Sequence, residues 1–207
     1  MPIEPKLEVK RHRLTKAERT QLVLSKELKE ISVGLLLGDL YGEKQKTSIN
    51  IRFVFNQGII HKDYLFHLFE LFQDYCPSDP KIGNHLSDKI TGKVHSSIRF
   101  STYSLPCFNE YYDLFYPNGI KKKVVPLNIG ALLTPLGLAY WICDDGNNDR
   151  GAVRLCTNCF THDEVKLLVS VLTDKINLRC SINKAGNGFI IRISQKSLPV
   201  LLALLKT

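Results

Sequence analysis

Two stretches of this chain repeat each other. Residues 97 to 106 read "SIRFSTYSLP" and residues 190 to 199 read "IIRISQKSLP", so Arg99, Ser101, Leu105 and Pro106 recur as Arg192, Ser194, Leu198 and Pro199, displaced by 93 positions (99 against 192). A second echo sets "IRFVFNQ" over "VRLCTNC", matching Arg52 and Asn56 to Arg154 and Asn158, displaced by 102 (52 against 154). The order of the echoes is kept, which predicts two copies of one structural unit in one chain.

The two copies share an order of elements. Each opens on an apolar helix ending in aspartate, "EISVGLLLGDLYG" in the first and "TPLGLAYWICDDG" in the second, where Thr134 supplies an N-cap and Pro135 the first helical position. An alternating strand follows, then an amphipathic helix. Leu65, Leu68, Phe69 and Phe72 share one face of the first such helix; Val165, Leu168, Leu172 and Ile176 share one face of the second, which Thr161 and Glu164 open as a capping box. A hairpin and a further helix close each copy, with turns expected in "SDKITGK" and "KAGNGF". The reading is α-β-α-β-β-α per half, with a further strand beside the first that the pattern does not place. The expected domains are a basic N-terminal arm over 1–27, a first repeat with its linker over 28–125 and a second repeat over 126–207.

Sorting the strands by their period of two gives the polar faces a chemistry. Ile49, Ile51, Phe53 and Phe55 point one way, and Asn50, Arg52 and Asn56 the other; the later strands present Ser97, Arg99 and Ser101, then Arg154 and Asn158, then Arg192 and Ser194. Each of the four clearest strands carries a central arginine on its polar face. A sheet face turned to water tolerates arginine, but four in register among Asn and Ser favour a sheet that reads base edges. Hairpin residues Lys81, Asn84, His85, Lys89, Lys93, His95, Asn183 and Lys184 extend that surface. The arm "KRHRLTK" either reaches a phosphate backbone or is solvated.

Composition agrees: a formal net charge of +8 and a pI near 9.2 favour an anionic partner, and 44% hydrophobic residues suffice for a sizeable core. No apolar run is long enough to span a bilayer, and the first residues lack the apolar core of a signal peptide. Six cysteines without a paired framework read as reduced thiols; Cys156 and Cys159 form a lone C-x-x-C without a second pair at zinc spacing.

The two aspartate-ended helices carry the sharpest signal. Anions are disfavoured at a helix C-terminus, and two such ends brought together at a pseudo-twofold axis would be costly unless a hard divalent cation lay between them. Gly34 and Gly38 leave one helix a smooth face for close approach. "DDGNND" also reads as a plain polar turn; as a calcium loop it fails, with Arg150 where glycine is required and Cys156 where glutamate is.

Aligning Asp39 with Asp145 sets "SVGLLLGDL" over "LAYWICDDG". In these motifs, and in the order that follows each, the chain from about Ile31 onward resembles the LAGLIDADG homing endonucleases, in their monomeric two-motif, intron-encoded organellar branch. The resemblance implies an α+β fold of two pseudo-symmetric halves, motif helices packed at the centre over a saddle-shaped antiparallel sheet. It implies a site-specific endonuclease for double-stranded DNA that works as a monomer, outside membranes, encoded in a mitochondrion or chloroplast. Asp39 and Asp145 would be catalytic metal ligands, each half cutting one strand, with Gly38 and Asp144 adjoining them in the metal set. Mg²⁺ would be the cofactor, Mn²⁺ a substitute, and Ca²⁺ would bind without supporting cleavage. The family's active-site lysine, before a short apolar stretch and proline, matches Lys123 in "KKKVVP", and its polar residues near the metal match Asn56 and Asn158. The reading-face residues Arg52, Arg99, Arg154, Arg192, Asn50, Ser97, Ser101, Ser194, Lys81, His85, Lys93 and Lys184 would contact DNA.

Two departures stand out. A mate for Lys123 at the 93-residue displacement would fall near position 216, past Thr207: either the sequence is shortened there, or the second site lacks its lysine, or Lys184 substitutes, and impaired cleavage of one strand is expected if the sequence is complete. Tyr140 stands where Gly34 stands in the first copy, so the central helices are expected to pack unequally. Some members of the family serve as intron maturases, with RNA as partner; the presence of both carboxylates favours the nuclease.

Overall fold

The computed structural model describes residues 13–84 and 96–205. His85, Lys89, Lys93, His95 and the turn expected in "SDKITGK" lie outside the described residues. The chain runs α1 (Lys16–Gln21), α2 (Lys26–Leu37), β1 (Tyr41–Lys44), β2 (Ile51–Gly58), α3 (Lys62–Phe72), β3 (Lys81–Asn84), β4 (Ser96–Ser101) and α4 (Asn109–Phe115). It continues through α5 (Ile129–Leu132), α6 (Pro135–Asp145), β5 (Gly146–Asp149), β6 (Ala152–Cys156), α7 (His162–Ser170), β7 (Cys180–Ala185), β8 (Gly188–Ile193) and α8 (Leu198–Leu204). Two antiparallel sheets result, ordered β1-β2-β4-β3 and β5-β6-β8-β7, so the same topology occurs twice in an α+β fold. The echoed arginines fall on equivalent strands, Arg52 and Arg154 on β2 and β6, Arg99 and Arg192 on β4 and β8.

The strand that the pattern left unplaced follows each motif helix directly, as β1 and β5. "DDGNND" is therefore a helix end and a strand; the chain reverses at Arg150 and Gly151, both left-handed at φ 53° and 82°. Alternation holds for β2, where Ile51, Phe53 and Phe55 are at most 3% exposed. It fails at Ile49, which is 87% exposed because β2 begins only at Ile51. Leu65, Leu68, Phe69 and Phe72 of α3 are buried as expected. On α7, Val165 and Leu168 are buried, and Leu172 and Ile176 follow in a π-helical turn over Val171–Lys175. The Thr161–Glu164 capping box is formed, and Thr134 caps α6 by accepting from the Gly137 N–H at 3.2 Å.

The basic arm is not free where it is described. A Thr15–Glu18 capping box opens α1, Arg19 sits 4.4 Å above the Tyr103 ring and the Tyr75 hydroxyl donates to the Val23 carbonyl, so the segment packs on the first half.

At the centre, α2 and α6 lie against each other. A Cβ on Gly34 would fall 1.8 Å from the Gly137 carbonyl oxygen, and one on Gly38 would fall 2.6 Å from Asp144 Cβ. The glycine meeting Gly34 is thus Gly137, one turn before Tyr140. Tyr140 instead crosses to α3, its hydroxyl 2.8 Å from His67 Nε2 and its ring stacked on the imidazole. The unequal packing expected from Tyr140 is seen, with backbone contact moved by about a turn.

Candidate active site

Close approach of α2 and α6 brings three carboxylates to one place. Beyond α2 the Asp39 N–H donates to Asp144 Oδ2 at 3.0 Å, and Asp39 Oδ2 accepts from Gln57 Nε2 at 3.0 Å. Lys123 Nζ donates to the Gly38 carbonyl at 2.6 Å, covering one of the acceptors a helix end leaves open. The segment bearing Lys123 is pinned by the Val125 N–H, which donates to Glu164 Oε1 at 2.9 Å, while Glu164 also caps α7.

The electrostatics follow from burial. Burial pushes the Asp145 carboxyl up to about 7, helped by the Asp39 and Asp144 charges and opposed by Lys123. Burial also pushes Asp144 up to about 7, against the Asp39 N–H and the Tyr64 hydroxyl. The Tyr64 phenol is raised by burial and by Asp144. Lys123 is lowered by burial, against the pull of Cys159 and the three aspartates. Asp144 Oδ1, Tyr64 Oη and Trp141 Nε1 are buried without a partner in hydrogen-bond geometry. Three carboxylates share the charge of Lys123, so the cluster is short of cationic groups. Among the described residues no three His, Cys, Asp or Glu side chains are grouped to hold a metal unaided, so a hard cation here would take the remaining oxygens from phosphates, the usual manner of Mg²⁺.

Asp39, Asp145, Lys123, Gly38 and Asp144 are brought together. Asn56 lines a small void beside Asp39 and Asp144, but the side chain that bonds Asp39 is its neighbour Gln57. The resemblance implies Asn56 at this place, on the polar face of β2. Gln57 continues the face of Phe53 and Phe55, and where that face runs past the core it meets the end of α2. Asn158 is exposed, its backbone within 2.9 Å of where a Cβ on Gly188 would stand, and it makes no bond to the cluster. The cysteine of the C-x-x-C that approaches the centre is Cys159, raised by burial and lowered by Lys123.

The four strand arginines do not share one environment. Arg52 Nε bonds Glu43 Oε2 at 2.5 Å, and Arg192 Nε bonds Asp149 Oδ2 at 2.9 Å. In both, the carboxylate occupies Nε and leaves the terminal nitrogens of the fork. Arg99 is exposed, between Asn56 and Lys81 across the ladder. Arg154 lies directly opposite Arg192, and its Nε is buried without a partner. Two like charges facing across a ladder repel, and Asp149 on Arg192 offsets part of that repulsion.

Other candidates for this face divide. Lys81 and Lys184 are exposed and Ser101 is half-buried opposite Val54. Ser97 is buried where β4 meets the turn over Ile59–His61 and does not belong to the accessible surface. Asn50 accepts from Asn109, and Ser194 Oγ accepts from the Lys196 N–H, so both hold the fold together.

A family model described as the LAGLIDADG DNA endonuclease family matches residues 29–201. The cytochrome b mRNA maturase bI2 of Debaryomyces hansenii is 37% identical over 188 residues, covering 88% of this chain and 70% of that protein. The protein of the same name from Saccharomyces cerevisiae is 33% identical over 188 residues, covering 86% of this chain but 44% of its own length, so the chain spans under half of that relative. Among solved structures, the homing endonuclease I-WcaI bound to its DNA recognition sequence superposes with a TM-score of 0.83 at 28% identity, covering 89% of this chain and 83% of that one.

Proposed function

Because this chain belongs to the LAGLIDADG DNA endonuclease family, we propose that it is a site-specific endonuclease that hydrolyses both strands of a long DNA duplex with a divalent cation, Mg²⁺ or Mn²⁺. One observation carries this reading: Asp39 and Asp145 stand at the ends of two helices in backbone contact, with Lys123 reaching over the first of them. Two carboxylates brought together at adjoining helix ends are stabilised as anions by a cation between them. Asp39 and Asp145 would hold it, with Gly38 and Asp144 adjoining, and Ca²⁺ would bind without supporting cleavage. When bound, such a cation polarises a phosphate and acidifies water.

The protein's own groups divide the remaining tasks. Gln57 fixes the Asp39 carboxylate and Asp144 fixes its backbone. Lys123, buried and cationic beside three carboxylates, stabilises charge that develops on the scissile phosphate. The two sheets, one in each of the halves 28–125 and 126–207, lay Arg52, Arg99, Arg154 and Arg192 along the duplex, and a monomer with both motifs needs no second copy.

The test is a selection from a randomised duplex library with Mg²⁺ and then with Ca²⁺. Cleaved and bound sequences should coincide, and Asp145→Asn should abolish cleavage while duplex binding persists. A protein that binds but never cuts refutes the nuclease reading. The second reading, an intron RNA maturase, is favoured by the names of the two yeast relatives, which also favour mitochondrial over chloroplast coding. Rescue of splicing of its own intron by Asp145→Asn would support it.

A further inference from the structure

The outer edge of β1 opens into a cleft of about 600 Å³ that the carboxylate centre does not use. Two kinds of side chain dominate its walls. Tyr112 and Tyr116, on and just after α4, stack with ring centroids 4.9 Å apart and planes 19° from parallel. They close beneath the strand because position 42 is glycine: a Cβ there would lie 3.1 Å from Tyr112 Cδ2, and the Gly42 N–H donates to the Tyr116 hydroxyl. Tyr116 is buried and backs Tyr112, while Tyr41 stands at the mouth, 46% exposed. The rim carries Lys44, Lys46 and Lys121, all exposed, and among the described residues no carboxylate lines the cleft. Glu43 shares Tyr41's side of β1 and is paired with Arg52.

Lysines around a rigid aromatic floor match the repeating chemistry of a nucleotide chain, with phosphates for the cations and base faces for the rings. A duplex keeps its base faces inside the stack, so the rings are useful only to unpaired bases. We propose that this cleft binds an unpaired run of nucleotides, with Lys44, Lys46 and Lys121 on phosphates and Tyr41 and Tyr112 against bases. The strand would lead into the active centre, since Tyr41 follows Asp39 by two residues and Lys121 precedes Lys123 by two. The inference stands whether or not the carboxylates cut DNA.

The experiment titrates the full chain into labelled single strands of about 12 nucleotides, in RNA and in DNA of one sequence, and into the corresponding duplex. Replacing all three rim lysines by glutamine should weaken single-strand binding about tenfold or more and lower its log–log salt slope by about 2, since each neutralised phosphate of a single strand contributes roughly 0.7. Tyr41→Ala, at an exposed position that folding does not need, should weaken it about fivefold or more. Duplex affinity should stay within about twofold for both variants. A tenfold preference for RNA assigns the ligand to a transcript, and equal affinity assigns it to a separated DNA strand. Single-strand affinity unchanged in the folded lysine variant, or an equal loss on the duplex, overturns the proposal. Wild-type cleavage of a duplex reports on the nuclease reading separately.

Discussion

The two halves share a strand order and an aspartate at the end of a central helix, yet those ends are not equivalent. At the first, glycine precedes the aspartate, Gln57 bonds the Asp39 carboxylate and Lys123 covers the Gly38 carbonyl. At the second, Asp144 takes the place of glycine, its carboxylate crosses the interface to the Asp39 N–H, and burial raises both Asp144 and Asp145. On the core face of β2, Gln57 follows Phe55; 102 residues on, Thr157 stands in place of Phe55 and bonds the Phe189 carbonyl, and Cys159 stands in place of Gln57 beside Lys123. The first half thus supplies the cation and the amide, and the second supplies the excess negative charge. Duplication copies a scaffold readily because helix packing and strand order tolerate substitution, but polar positions at a shared axis can be divided between the copies.

The largest expected effect tests that division directly. Lys123→Met should slow duplex cleavage by roughly 10²–10⁴, the usual contribution of a positioned charged group. A strand-resolved nicking assay should show unequal losses, because Lys123 sits on the Gly38 side; equal losses would mean that both halves use it alike. Next is the helix seam. Gly34→Ala places a methyl against the Gly137 backbone and should cost more than about 3 kcal/mol in denaturant unfolding. Tyr140→Phe, which removes the His67 bond at the position Gly34 holds in the other copy, should cost only about 0.5–1.5 kcal/mol.

The acid-rich end predicts a pH signature. A carboxyl raised to about 7 in the folded chain binds a proton that the unfolded chain, at its ordinary value, has already released. Without divalent cations, the contribution of these two carboxyls to stability should therefore be fully present below about pH 4 and be lost as pH rises through about 7. Asp144→Asn should flatten that fall in melting curves; an unchanged slope would place the strain elsewhere. Added Mg²⁺ should raise the melting temperature more at pH 8 than at pH 5. The smallest effect separates Gln57 from Thr157, the residue that replaces Phe55 in the second copy. Gln57→Leu should reduce cleavage by several-fold with little loss of stability, whereas Thr157→Val should cost about 1 kcal/mol of stability with cleavage retained.

Much of this was legible in the residues. The echoes around Arg99 and Arg192 set the duplication, alternation placed Arg52 and Arg154 opposite the buried Phe53 and Leu155, and Thr134, Pro135 and Thr161 marked helix starts that the structure keeps. The short strands β1 and β5 were expected but not placed, because four residues after a helix are too few to show a period. Gln57 was missed because a core-face position becomes a site position only where the strand outruns its core.

The sequence alone determined the unit, its repetition and the aspartate at each helix end, since these rest on local propensity and on periodicity that a single strand or helix already expresses. Only the tertiary structure decided that Gly34 meets Gly137 while Tyr140 crosses to His67, that Asp144 holds the backbone of Asp39, and that Lys123 covers the Gly38 carbonyl. The reason is geometric: contacts between residues about 100 positions apart depend on how two helices slide and turn against each other, and no local pattern records that displacement.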